Sequence, residues 1–298
     1  MDDNLLLLRS GDATLALARR GAEPRSWRVS GQELLWNADP AWWPRSSPVL
    51  FPVVGWCRGK EIRHEGRAYP MDVHGFAADS LFEAAPRGPD GASLTLRDSG
   101  ESRARFPFPF RLTLTYRLWP RGFSARFEIH NPGARPLPYA VGLHPGFLWD
   151  PDEPGAEGHS LRFGREERPE VPEIAPGGLF SAQWRAVPLD GRRLPLGRAL
   201  LAREAVCFLG LRSRAVCFRN GARGGILLRL EDFPHLALWS PPGAPFLCLE
   251  AWTGHGDPEG FTGELSAKPS MRWLPPGGTG RHRVSFRFLP PAGPGPAG

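Results

Sequence analysis

The chain has 298 residues, 41% of them apolar, which is core enough for one large β domain or two ordinary ones and excludes a mini-protein. Its 36 glycines and 34 prolines, set beside 11 tryptophans and 18 phenylalanines, weigh against long helices, and the glycines lack the three-residue period of collagen. A net charge of +6 and a pI near 9.7 invite a nucleic-acid partner. The basic residues stand singly, however, as at Arg111, Arg117, Arg121 and Arg126, and only Lys60 and Lys268 are lysines. The expectation is a solvated basic surface with no nucleic-acid partner.

The chain begins Met1-Asp2-Asp3-Asn4 ahead of only Leu5 to Leu8, which is too acidic and too short for a signal peptide. No stretch approaches the roughly 20 apolar residues of a membrane span. Cys57, Cys207, Cys217 and Cys248 show no C-x-x-C spacing. They read as small core hydrophobes with reduced thiols, and the expected location is cytoplasmic.

Taken in chain order, the elements are short and alternate with a period of two. Leu94 and Leu96 mark one strand. Leu112, Leu114, Tyr116 and Leu118 mark the next, and after the turn Pro120-Arg121-Gly122 the pattern returns at Phe123, Ala125, Phe127 and Ile129, which predicts a hairpin. Asp150 to Gly158, rich in proline and glycine, reads as a long surface loop. Ala205 to Phe208 and Ala215 to Phe218 are identical four-residue runs, taken as two neighbouring strands of similar composition. Further strands follow at Ile226, Leu228 and Leu230, and at Val284, Phe286 and Phe288. No segment carries helical periodicity. The pattern predicts an antiparallel all-β sandwich or barrel over residues 1–289 as one domain, with a disordered Pro/Gly tail at 290–298.

Three segments combine an ionisable residue with glycine and aromatics, the composition of a binding cleft on a β scaffold. They are Asp72-Val73-His74-Gly75-Phe76, Gly142-Leu143-His144-Pro145-Gly146-Phe147 and Leu247-Cys248-Leu249-Glu250-Ala251-Trp252. Glu250 follows four apolar residues, so its carboxylate either turns out at the strand edge or sits buried and hydrogen-bonded. His64, His130, His159, His255 and His282 stand in polar or turn-like surroundings and read as structural.

In order and context, His74, His144 and Glu250 resemble the functional residues of the aldose 1-epimerase (galactose mutarotase) family. The resemblance extends through Val49 to Gly55, His74 to Ala77, Leu143 to Phe147, Asp232 to Ser240, Leu247 to Gly254, Phe261 to Leu265 and Leu274 to Gly277. It is nearest to an uncharacterised bacterial branch. It implies a β-supersandwich of antiparallel sheets with an open cleft, and a cofactor-free, metal-free interconversion of the α and β anomers of a free aldose. Opening the ring takes a base for the C1 hydroxyl proton and an acid for the ring oxygen. By resemblance Glu250 is the base and His144 the acid, each near its ordinary pKa, with His74 and Asp232 holding sugar hydroxyls. Trp252, Trp239 and Phe76 offer stacking faces.

The family's arginine after the Pro-x-x-Gly glycine is Trp56 here, and Arg58, on the same side of an extended strand, is the expected substitute. Ala78 also stands where relatives carry arginine. Three other readings stay open: a catalytically silent carbohydrate-binding protein on the same fold, a hexose-6-phosphate 1-epimerase using Arg58, Arg63 or Arg67, and a metal enzyme built on His74, His144 and Glu250. A small-molecule sugar is the expected partner, and the chain is read as a monomer or homodimer.

Overall fold

The computed structural model describes residues 5–152 and 158–291. Residues 153–157 of the expected long loop, and 292–298 of the expected tail, lie outside the described residues. The alternating stretches form two facing antiparallel sheets. The larger has nine strands in the order Arg193–Pro195, Ser160–Phe163, Ala215–Arg219, Gly225–Glu231, Thr279–Leu289, Gly122–His130, Arg111–Trp119, Gly91–Arg97 and Glu83–Pro86. The predicted hairpin lies inside it, with Leu112 opposite Ile129 and Leu118 opposite Phe123.

The second sheet runs Val206–Leu209, His235–Trp239, Phe246–Trp252, Gly142–Leu143 and Val49–Leu50, with Gly146–Leu148 also paired to Phe246–Trp252. Smaller antiparallel sheets lie around these two, among them a four-stranded one built from Leu5–Ser10, Ala13–Ala18, Pro24–Val29 and Gln32–Glu33. The fold is therefore the all-β sandwich that the sequence predicts.

A period of two decides what each sheet buries. Leu112, Leu114, Phe123, Phe127, Val284 and Phe286 point inward from the large sheet and meet Leu236, Leu247, Leu249 and Ala251 of the smaller one in a single buried cluster. Phe147 reaches Phe286 at 5.5 Å between ring centroids, and Phe233 meets Phe127 edge-on at 5.7 Å. Each such ring removes apolar surface from water worth about 1.5–3 kcal/mol.

The sequence reading needs one correction here. Val206–Leu209 and Ala215–Arg219 are not neighbours: they belong to different sheets, and similar composition reflects similar burial alone. Two short helices also exist, Gly100–Arg105 and Arg198–Leu201. The first is held by a reciprocal Ser99–Ser102 cap, and a helix of six residues is too short to leave a periodic trace. The four cysteines are free, three of them buried, and burial pushes the Cys57 thiol up to about 11. No helix among the described residues is long and apolar enough to cross a membrane.

Candidate active site

The face of the smaller sheet turned away from the core carries the chemistry. Along Phe246–Trp252, Leu247, Leu249 and Ala251 enter the core, so Cys248, Glu250 and Trp252 must emerge on the other side. Glu250 pairs with Ala237, and Cys248 with Trp239, which places Ala237 and Trp239 on that same face. Above it opens a cleft of about 400 Å³ with Glu250, His144 and His74 in its lining. Trp43, Trp56, Trp239, Trp252 and Phe180 supply its aromatic walls.

His144 enters from the segment beyond Gly142–Leu143, its backbone N–H donating to the Pro48 carbonyl at 3.1 Å. Its Nε2 lies 3.2 Å from Glu250 Oε2, and the Trp252 indole N–H donates to the same oxygen at 3.1 Å. The His144 ring packs tilted on Trp43 at 4.9 Å and edge-on to Trp239 at 5.8 Å. Its Nδ1 is buried without a hydrogen-bond partner among the described residues, so the contact of Nε2 with Glu250 is what bears on the tautomer.

Glu250 is only 2% exposed, and burial pushes its carboxyl up to about 8. Burial, reinforced by neighbouring His74, holds His144 well below the ordinary imidazole range. This corrects the expectation of two groups near their ordinary values. Near neutral pH the pair shares one proton, and the low-dielectric setting favours carboxylic acid beside neutral imidazole over two charges.

His74 is held differently. Its backbone is left-handed, φ 65°, which is rare for a non-glycine residue, and it is pinned by N–H donation to the Gly55 carbonyl at 3.0 Å. The Gly55 N–H in turn donates to His74 Nδ1 at 3.1 Å. Burial lowers the His74 pKa to about 4, so the ring is neutral and its proton must sit on Nε2. His74, His144 and Glu250 each bring a potential metal-ligating atom within 4.8 Å of the others. A metal needs a lone pair on each histidine, and in His74 the one lone pair is already spent on Gly55. The ring is set to donate to an oxygen, such as a sugar hydroxyl.

The next residue shows how tightly this loop is placed. Gly75 has φ 82°, and a Cβ built there would lie 2.2 Å from the Phe51 carbonyl oxygen. Gly75→Ala is therefore expected to destabilise the protein by about 2–5 kcal/mol, combining left-handed strain with a backbone clash. Urea unfolding measures this, and an unchanged midpoint would contradict the placement.

Two expected site residues are not in the cleft. Arg58 follows Cys57 into the helical turn Arg58–Lys60, so the extended geometry that would aim it beside Trp56 ends before it. It lines a separate groove with Asp257 and Lys268, and its backbone N–H donates to Asp257 Oδ2. Asp232 follows the strand Gly225–Glu231 of the other sheet, with φ 59°, and pairs with Arg272 and His282 at 3.0 Å each. Arg63 shares the Arg58 groove and Arg67 is exposed on a hairpin. Phe76 packs on Phe51 and Phe110 in the core, whereas Trp239 and Trp252 line the cleft.

The sequence reading missed Trp43, Arg45, Asp79 and Phe180, which complete the walls. Trp43 and Arg45 lie outside any strand, where periodicity is silent; paired tryptophans next to prolines were the available signal. Arg45, the one cation among the described lining residues, is engaged by Asp79 Oδ1 at 2.6 Å and the Ala78 carbonyl at 3.3 Å.

Comparisons with known proteins agree with this architecture. A galactose mutarotase-like protein from Lactobacillus casei superposes with a TM-score of 0.90 at 27% identity, covering 95% of this chain and 99% of that one. A galactose mutarotase related enzyme from Lactobacillus acidophilus does so at 0.86 and 25%, covering 95% and 97%. Protein LacX, plasmid, of Lactococcus lactis is 29% identical over 239 residues, 75% of this chain and 79% of its own length. The family model described as Aldose 1-epimerase matches residues 4–279, and the chain belongs to the aldose 1-epimerase family.

Proposed function

We propose that this protein is an aldose 1-epimerase that interconverts the α and β anomers of a free, uncharged aldose. The observation that carries the reading is the buried Glu250–His144 contact at 3.2 Å, facing an aromatic-walled cleft. Mutarotation needs one proton removed from the C1 hydroxyl and one delivered to the ring oxygen, with the reverse transfer on closure. A pair sharing a single proton does both: from carboxylic acid beside neutral imidazole, His144 accepts the C1 hydroxyl proton as Glu250 donates to the ring oxygen, the reverse of the roles the resemblance implies, and reclosure restores the starting state without exchange with solvent. His74 Nε2–H holds a hydroxyl, and Trp252, besides orienting Glu250, offers an aromatic wall to the sugar's C–H face.

A free aldose is favoured over a phosphorylated one because Arg45 is already committed to Asp79, and Arg58 and Arg63 face another groove. The catalytically silent sugar-binding alternative draws on two features, Trp56 and Ala78 in positions where relatives carry arginine. Polarimetry of freshly dissolved α-D-glucose and α-D-galactose, with NMR exchange on glucose 6-phosphate, separates the readings. Accelerated relaxation of a neutral sugar supports the epimerase. Calorimetric sugar binding without acceleration supports the silent protein, and acceleration confined to the phosphate overturns the assignment of substrate class.

A further inference from the structure

The cleft is poor in the side chains that ordinarily meet sugar hydroxyls. Among its described lining residues there is no Ser, Thr, Asn, Gln, Tyr or Lys. Of the charged ones, Arg45 is held by Asp79 and Asp72 by Arg105. Beyond the reacting Glu250 and His144, that leaves His74 within the cleft and the carboxylate of Glu204 exposed at its rim. An aldohexose brings hydroxyls on C2, C3, C4 and C6 besides the one on C1.

Strand order sets which end of the sugar lies where. Across the smaller sheet, Cys207 is paired with Ala237 and Ala237 with Glu250, so the three form one row on the cleft side. His144 lies past Glu250 in the same direction, and His74 past it again, its carbonyl accepting from the Phe51 N–H beside the edge strand Val49–Leu50. In the proposed reaction His144 meets the C1 hydroxyl and Glu250 the ring oxygen. The bonded path from the C1 hydroxyl through the ring oxygen to C5 therefore runs from His144 past Glu250 toward Cys207. C2 turns the other way, and His74 receives its hydroxyl. Whatever C5 carries comes over Ala237 and Cys207, walled by Ile174, Ala205 and Phe180, all of one apolar cluster. Cys207 is 1% exposed, and burial holds its thiol well above the ordinary value, so it stays an uncharged, small apolar group. A hydroxymethyl group there would bury a hydroxyl without a partner, a bare hydrogen would leave the space unfilled, and a methyl group fills it.

We infer that the aldose taken by this cleft is a 6-deoxyaldohexose, its C5 methyl group seated on Ala237 and Cys207. The direction in which the ring lies rests on the epimerase reading. The apolar lining of that end does not, since it is a property of the cleft whether or not the bound sugar is turned over.

The test uses sugars matched at C2, C3 and C4 that differ only in what C5 carries. D-Fucose, D-galactose and L-arabinose present methyl, hydroxymethyl and hydrogen; L-fucose, L-galactose and D-arabinose form the mirror set, and 6-deoxy-D-glucose, D-glucose and D-xylose a further one. Polarimetry gives kcat/KM for the wild type, and calorimetry gives Kd for Glu250→Gln, which reads the preference without turnover. In the set that reacts fastest or binds most tightly, the methyl sugar is expected to exceed the hydroxymethyl sugar by about tenfold or more, and the hydrogen congener by about threefold or more. Cys207→Ser sets a hydroxyl beneath C6 and should cut the first ratio to about threefold or less; Ile174→Thr does so from the wall should the serine variant unfold. A hydroxymethyl sugar taken as well as or better than its methyl congener would overturn the inference and leave the epimerase standing. So would a ratio that neither variant moves, or a hydroxymethyl preference lost in Glu204→Gln, which would put C6 at the rim. Methyl preference in binding with no sugar accelerated would uphold the ligand class and overturn the epimerase. Neither binding nor acceleration would overturn both.

Discussion

Glu250→Gln is expected to cut catalysed anomerisation by ~100-fold or more while sugar binding and fold persist. The glutamine keeps an oxygen for the Trp252 indole N–H, so the local packing that Glu250 makes is retained. What it cannot do is release or accept the shared proton. Stability separates this loss from unfolding. The Glu250 carboxyl is raised from the ordinary 4.5 to about 8 by burial, so the folded state holds a proton that the unfolded chain gives up. That contribution is complete below pH 4.5 and is lost as pH rises through about 8. Glutamine never ionises, so at pH 8 the variant should melt no lower than the wild type. Full activity in the variant would remove Glu250 from the proton path.

His144→Gln is expected to lose activity on the same scale, ~100-fold, because the partner that exchanges the proton with Glu250 is gone. Since the two residues act as one unit, the double variant should be little worse than either single one. The comparison needs only polarimetric rates for four proteins. Multiplicative losses, near ~10,000-fold in the double variant, would mean that the two groups act independently and that the 3.2 Å contact is incidental to catalysis.

The sandwich was legible because antiparallel strands with one buried face write an alternation into the chain, as Arg111–Trp119 and Gly122–His130 do. Glu250 was legible for the opposite reason: a carboxylate after Phe246-Leu247-Cys248-Leu249 breaks an apolar run. Its pKa was not, since a shift of that size depends on what packs against the residue, here His144, which is distant in sequence. Arg58 misled because reading it as a strand residue missed the helical turn that begins there, and Asp232 because the resemblance that named it says nothing about which side of the sandwich its carboxylate faces. Trp43 and Arg45 could not be placed by any period.

The central claim is that a buried pair carrying one proton performs the ring opening. The measurement that tests it most directly is the pH dependence of kcat/KM for mutarotation of the neutral aldose the enzyme prefers. The free enzyme's pair is competent between the two titrations, that of His144 well below 6.5 and that of Glu250 at about 8. The account therefore predicts a plateau through pH 7 and a fall of about tenfold per pH unit above about 8, as the pair loses its only proton. A rate that instead climbs through pH 8 and levels above it would show that the fully deprotonated pair is the active form, and would contradict the shared-proton account.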